Sequence, residues 1–208
     1  LVRVMKDSST VLVTGGAGMI GSNLVRRLTS EGWRVRVVDN LWRGKVQYLF
    51  DESGRPFIDM SADFFEFDLS SGLMPDEIME GVDYVIHLAD IVAGIGYVFT
   101  NQGSIFRKNI LINSNVVESV RKRASSINGY VYVGTACSFP LELQSGVTAA
   151  PLREEQQYPA NPESAYGWSK LMGEYEANLL EKEAGVPVSI LSLHNVYGTP
   201  TDIEVGRS

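Results

Sequence analysis

Two side chains able to move a proton stand four residues apart late in the chain: the phenol of Tyr166 and the ammonium of Lys170, in the run Tyr166-Gly167-Trp168-Ser169-Lys170. On a helix, positions i and i+4 share one face. A neighbouring ammonium stabilises a phenolate and lowers the pKa of the tyrosine. Tyr166 is then placed to exchange a proton with a substrate hydroxyl. Thr135 ends an apolar run and offers a hydroxyl that can orient the same substrate oxygen. A tyrosine and a lysine at this spacing also arise by chance on a solvated helix face, so the pair gains meaning only beside a carrier for the electrons that accompany the proton.

The start of the chain indicates such a carrier. Thr14-Gly15-Gly16-Ala17-Gly18-Met19-Ile20-Gly21 follows a short β-branched run (10–14) and opens a segment of helical spacing (19–30). A GxGxxG pattern is informative in that context. Its early glycines let the backbone turn and approach a pyrophosphate, and Gly21 lets helix and strand pack closely. The amides of a helix N-terminus then face the phosphates. Asp39 lies 21 residues beyond Gly18 (39 − 18), at the end of the second expected strand. A carboxylate there accepts hydrogen bonds from ribose hydroxyls and repels a 2′-phosphate, which favours NAD over NADP. Its structural alternative is a strand-end Asp that caps a turn. Asp68, closing the third strand, is in reach of the adenine side.

The elements that must position these groups alternate. Strands are expected at 10–14, 34–38, 63–67, 84–88, 130–133 and 188–193, and helices at 19–30, 75–80, 104–123 and 163–183. A long connection is expected over 40–62 and an irregular loop over 141–162. The strands are continuous apolar runs, which marks a parallel sheet covered on both faces. The fold class is therefore α/β, a doubly wound parallel sheet of the Rossmann kind. We divide the chain into a leader (1–9), an NAD-binding domain carrying the catalytic residues (10–198) and the start of a connection (199–208) to a small C-terminal substrate lobe that is largely absent from this sequence.

With 208 residues and 44% hydrophobic content the chain can bury a core, and its net charge of −7 argues against a non-specific nucleic-acid face. No apolar run reaches the length of a membrane span. Cys137 is the single cysteine, so no intrachain disulfide can form. A reducing, cytoplasmic setting is the simplest reading. No metal is assigned.

The set Thr14-Gly15-x-x-Gly18-x-x-Gly21, Asp39, Asp68-Leu69, His87-Leu88-Ala89, Asn109, Thr135, Tyr166-x-x-x-Lys170 and Asn195-Val196-Tyr197-Gly198 resembles the extended short-chain dehydrogenase/reductase family over nearly the whole chain. The resemblance implies an NAD domain, usually dimeric, that acts on a nucleotide-sugar. It also implies cofactor contacts from Gly15, Gly18, Met19, Ile20, Gly21, Asp39, Asn40, Asp68, Leu69, Leu88, Ala89, Asn109, Tyr166 and Lys170.

Within that family, Gly134-Thr135-Ala136-Cys137-Ser138-Phe139-Pro140 lacks the Asp-Glu pair of sugar 4,6-dehydratases. A thiol at this place is found in GDP-mannose 3,5-epimerases and in GDP-fucose synthases, and Asp39 speaks against the NADPH of the latter. The run Ala89-Asp90-Ile91-Val92-Ala93-Gly94-Ile95-Gly96-Tyr97 is similar to the glycine-bearing substrate loop of the 3,5-epimerases. Thr135 stands where those enzymes usually carry Ser.

The resemblance implies transient oxidation at sugar C4 with Tyr166 and Lys170 as proton relay. Cys137 becomes an acid/base for epimerisation, and Gly94, Ile95, Gly96 and Asn195 become substrate contacts. A GDP-sugar is favoured. A 4-epimerase, dehydratase or 4-keto reductase of the same family remains open, as does an NAD-binding sensor or interaction module without turnover. For Cys137 the structural alternative is a small buried hydrophobe. His87 and His194 read as packing and turn residues.

Overall fold

The computed structural model describes residues 9–144 and 151–200. Most of the expected leader and connection lie outside the described residues. Among the latter, β1 (Thr10–Thr14), β2 (Arg34–Asp39), β3 (Phe64–Glu66), β4 (Tyr84–His87), β5 (Gly129–Thr135) and β6 (Val188–Leu193) form one sheet in the order β3-β2-β1-β4-β5-β6. Every neighbouring pair is parallel. The order reverses between β1 and β4, and in such sheets ligands bind outside the carboxyl ends of the strands at that switch. Thr14, Asp39, His87 and Thr135 are the last residues of β1, β2, β4 and β5.

Strand alternation builds a core on each face. Val11, Val13, Val35 and Val37 pack with Val25 of helix α1 (Met19–Ser30) and with Leu49. Leu12, Val38, Val85, Tyr130 and Tyr132 face the other way. They are covered by Ile112, Val116 and Val120 of a later helix and by Ala177 and Leu180 of the last. Each fully buried aliphatic side chain contributes about 1.5–3 kcal/mol. The short helix α2 (Asp76–Met79) ends on the buried Arg36, whose guanidinium Nη1 donates to the carbonyls of Glu77, Ile78 and Glu80 at 3.2, 2.7 and 2.9 Å. Orphan carbonyls at a helix end are thereby satisfied.

Further helices are α3 (Ile95–Thr100), α4 (Gln102–Arg121), α5 (Leu141–Gln144) and α6 (Ala165–Ala184). Ser164 caps α6, its Oγ accepting from the Gly167 amide at 3.2 Å. Gly185, at φ 71°, ends it in the left-handed conformation that glycine adopts without a Cβ penalty. This cap sets Tyr166 in the first turn and Lys170 one turn below it.

The sequence expectations need three corrections. The third strand spans Phe64–Glu66, not 63–67; its flanks keep one ladder bond each, from Val37 N to Asp63 O and from Phe67 N to Asp39 O. A helix, α3, occupies part of the glycine-bearing loop, where Gly94 and Gly96 conceal the helical pattern because glycine is a poor helix former. The segment 141–162 contains α5 and a 3₁₀ turn at Glu154–Gln157 rather than irregular chain alone.

Candidate active site

The Gly-rich turn is fixed by close approach. Gly15 has φ +70°, donates its amide to the Val38 carbonyl at 2.7 Å, and leaves no room for a Cβ against the Ala89 amide, which one would meet at 2.9 Å. Gly21 packs as tightly on the Gly15 carbonyl. Gly18, the N-cap of α1, makes no side-chain cap, so the first helical amides at Met19 and Ile20 have no side-chain acceptor there. A helix N-terminus left in this state beside the switch point of the sheet is suited to an anion.

Asp39 Oδ2 accepts from the Ala17 amide at 3.0 Å and Oδ1 from Leu41 N at 2.8 Å. The carboxylate thus holds the Gly-rich turn against β2, and its remaining lone pairs can still accept from ribose hydroxyls. Burial pushes its pKa up, against those two amide bonds. Asn40 bonds Asp68, whose Oδ1 also takes the Ser70 amide and hydroxyl at 2.9 and 2.7 Å. Leu69 is buried beside them. These residues fit a dinucleotide: a backbone cradle at the phosphate end and carboxylates at the ends of β2 and β3.

A buried hydrogen-bond chain crosses the switch point. Thr14 Oγ1 accepts from Ala89 N at 3.2 Å and lies 2.7 Å from His87 Nδ1. His87 Nε2 lies 2.9 Å from Asn113 Oδ1, an acceptor, which assigns the ring proton to Nε2 and leaves Nδ1 to accept from Thr14. Asn113 Nδ2 donates to the Tyr132 hydroxyl at 3.4 Å, which donates to the Lys170 carbonyl at 3.2 Å. Burial, with the Lys170 charge adding to it, pushes His87 down to about 3. It is a neutral positioning group, in line with its reading as a packing residue.

Tyr166 and Thr135 share a hydrogen bond at the end of β5. Thr135 Oγ1 also accepts from the Cys137 amide at 3.2 Å, across the tight turn Ala136–Ser138. The Cys137 side chain is exposed, unlike the buried hydrophobe that was its structural alternative. Lys170 departs from expectation. Its Nζ lies 2.9 Å from Asp90 Oδ2, and the two side chains are 5% and 4% exposed. Tyr166 is correspondingly not a lowered phenol. Burial raises its pKa, the charges of Asp90 and Cys137 raise it further, and only the bond to Thr135 opposes them. The Lys170 ammonium is paired with Asp90 and is not among the groups that lower the phenol.

Asn109 ties the glycine-bearing loop to the site. Its Oδ1 accepts from Ile91 N at 2.8 Å, and its Nδ2 donates to Ile91 O at 3.3 Å and to Ser169 Oγ at 3.2 Å. Val92 O takes Arg43 Nη1 at 2.7 Å, and Trp42 meets Tyr97 with ring centroids 6.0 Å apart. Gly94 caps α3, Ile95 and Gly96 lie exposed on it, and Asn195 is exposed after β6. Sequence reasoning passed over Asp90 and also Glu174, a buried carboxyl one turn beyond Lys170 that takes Gln157 Nε2 at 2.5 Å and lies 3.3 Å from Ser138 Oγ. Burial raises the pKa of Glu174. For Asp90 the available signal was an acid set among apolar residues.

Residues 11–206 match the family model described as the NAD dependent epimerase/dehydratase family. The chain is 32% identical over 193 residues to a GDP-mannose 3,5-epimerase of Arabidopsis thaliana, covering 92% of this chain and 48% of that protein. It is 33% identical over 207 residues to UDP-arabinose 4-epimerase 1 of the same plant, covering 95% and 45%. The fold superposes with a TM-score of 0.73 on the UDP-glucose 4-epimerase of Thermus thermophilus in complex with NAD, at 27% identity, covering 94% of this chain and 58% of that one. The chain therefore spans about half the length of the curated relatives it matches.

Proposed function

This chain belongs to the NAD-dependent epimerase/dehydratase family, and from that premise we propose that it forms the catalytic core of an epimerase acting on a nucleotide-sugar by transient oxidation at C4. The observation that carries the reading is the convergence of Thr135, Cys137, Tyr166 and Lys170 where β5 ends and α6 begins. The turn at Gly15–Gly21 and the α1 amides hold the pyrophosphate, and Asp39 accepts from the ribose. NAD, when bound, supplies the hydride acceptor and, once reduced, the donor.

The protein's own groups move the protons. Tyr166 takes the C4 hydroxyl proton and returns it at the end of the cycle, and Thr135 orients that oxygen. Lys170, paired with Asp90, stands one turn below the phenol and completes the relay pair. A C4 ketone acidifies the adjacent C–H bonds, and the exposed Cys137 thiol exchanges a proton there. Gly94, Ile95, Gly96 and Asn195 line the sugar side. The likeness to GDP-mannose 3,5-epimerase supports a GDP-sugar, and the reading includes a cytoplasmic homodimer.

A plain 4-epimerase is the second reading, supported by the 4-epimerases among the relatives and solved structures. Turnover of GDP-mannose by the full chain in D₂O separates the two. The 3,5-epimerase reading expects deuterium at carbons next to C4 and strong loss of that exchange in Cys137→Ser, because an alcohol is a far weaker acid and base than a thiol. A 4-epimerase leaves those carbons unlabelled. A sensor without turnover leaves the absorbance of NAD unchanged when nucleotide-sugar is added.

A further inference from the structure

Glu174 stands on α6 one turn beyond Lys170 and is 4% exposed. A carboxyl is costly to bury unless its oxygens find partners. Both do. Oε2 accepts from Gln157 Nε2 at 2.5 Å, and Oε1 lies 3.3 Å from Ser138 Oγ. The same Gln157 amide reaches Ser138 Oγ at 3.0 Å, and the Ser138 hydroxyl donates to the Thr135 carbonyl at 2.7 Å. The three side chains close a ring behind the turn that carries Thr135 and Cys137. That turn separates two environments: Cys137 is exposed, whereas Ser138, the next residue, is wholly buried.

The end of β5 leaves room for this carboxyl. Gly134 immediately precedes Thr135, and a Cβ there would come within 2.5 Å of Glu174 Oε1. The turn meets α6 a second time where the Cys137 carbonyl lies against Gly167. The two points of attachment are seven residues apart (174 − 167), about two turns along one face of the helix. Two such points fix how the turn is oriented as well as where it lies.

We infer that Glu174 is a positioning residue: through Ser138 and Gln157 it fixes the Thr135 hydroxyl and the Cys137 thiol relative to Tyr166 on the same helix. It also ties the 3₁₀ turn Glu154–Gln157 to that point. The chemistry of the positioned groups rests on the epimerase reading; the hold itself does not. The hold needs hydrogen bonds and no charge. A glutamine at this position can accept from Gln157 with its oxygen and donate to Ser138 Oγ with its nitrogen, leaving the Ser138 proton on the Thr135 carbonyl. A leucine can do neither, and it leaves the Gln157 amide without its acceptor.

The test compares the full chain with Glu174→Gln and Glu174→Leu by amide hydrogen exchange, without sugar or cofactor, and then by transient kinetics. Two amides report on the turn: Cys137 N, which donates to Thr135 Oγ1, and Phe139 N, which donates to the Ala136 carbonyl at 3.1 Å. In Glu174→Leu both should exchange about tenfold faster, the effect of one net hydrogen bond on a local opening, while the amides of β1 and α1 keep their wild-type rates. In Glu174→Gln the turn should exchange as in wild type. With saturating nucleotide-sugar, the rate at which NADH appears should fall on the order of 10²-fold in the leucine variant. NAD affinity should hold, and the glutamine variant should recover the rate.

If Glu174→Leu does not fold, Ser138→Ala, which cuts the link at the turn, is read in its place with the same expectation. Unchanged exchange at Cys137 and Phe139 overturns the inference. So does exchange that quickens equally throughout the sheet, which marks a general loss of stability. A glutamine variant as impaired as the leucine one overturns it too, because the charge of Glu174 would then be what matters. Failure of the epimerase reading shows differently: wild type would form no NADH with any nucleotide-sugar, and the exchange comparison would still decide the hold.

Discussion

Gly167 of α6 lies against the carbonyl oxygen of Cys137 so closely that a methyl group has no space between them. This contact seats the helix carrying Tyr166 on the turn carrying Thr135 and Cys137. Backbone on both sides leaves little means of relaxation. Gly167→Ala should therefore cost about 1–3 kcal/mol, the usual range for overpacking, measured by denaturant unfolding. NAD binding, which rests on the Gly15–Gly21 turn, should weaken far less than turnover. An unchanged stability would show that the helix and the turn can separate without penalty.

Asp39 bonds two backbone amides, of Ala17 and Leu41, and also supplies the charge that discriminates against a 2′-phosphate. Asp39→Ala should narrow the preference for NAD over NADP, because the repulsion is lost. It should also lower stability by about 1–3 kcal/mol, since buried amides are left without acceptors. Titration of both cofactors, with parallel thermal unfolding, checks the pair of effects. Equal affinities already in wild type would reject the ribose role of Asp39.

Local signals made much of this legible in advance. The helix expected at 163–183 is Ala165–Ala184, because its Tyr-Lys face, its Ser164 cap and the Gly185 stop are all encoded within neighbouring residues. The Gly15–Gly21 turn was readable for the same reason. The Asp90–Lys170 pair was not, since 80 residues separate the partners (170 − 90) and no periodicity links a loop to a helix. It pairs the ammonium expected to act on Tyr166 with a buried carboxylate, so a contact between residues far apart in sequence bears directly on the candidate site. Asn113 escaped likewise: four residues after Asn109 on α4, it reads as a polar helix position, yet it is buried and joins His87 to Tyr132.

Removing either half of the relay should have different costs. Tyr166→Phe deletes one oxygen, so hydride transfer with a nucleotide-sugar should fall about 10²–10⁴-fold while NAD binding stays nearly intact. Lys170→Met leaves the Asp90 carboxylate buried without its partner, 2.9 Å from where the ammonium was. It should lose activity and destabilise the fold by about 3–5 kcal/mol. Stopped-flow absorbance of the cofactor and thermal unfolding separate the two variants. Full activity in Tyr166→Phe would remove the phenol from the mechanism.

His87 makes acid stability a measurable signature of the buried network. Its pKa is pushed down to about 3 by burial and the Lys170 charge, whereas an unfolded histidine titrates near 6.5. Between those values the unfolded chain takes up a proton that the folded protein refuses. Stability present above about pH 6.5 is therefore lost as pH falls toward 3, at roughly 1.4 kcal/mol per unit and on the order of 5 kcal/mol in all. Asp90 and Glu174, raised by burial, act in the opposite direction, because the folded protein protonates them first as pH falls. The histidine contribution is isolated by comparison with His87→Gln, whose amide can still donate to Asn113 and accept from Thr14. The stability difference between wild type and variant should shrink steadily from pH 6.5 downward. A difference that stays flat across this range would mean that His87 charges normally inside the fold, and that the Thr14–His87–Asn113 chain does not hold the ring neutral.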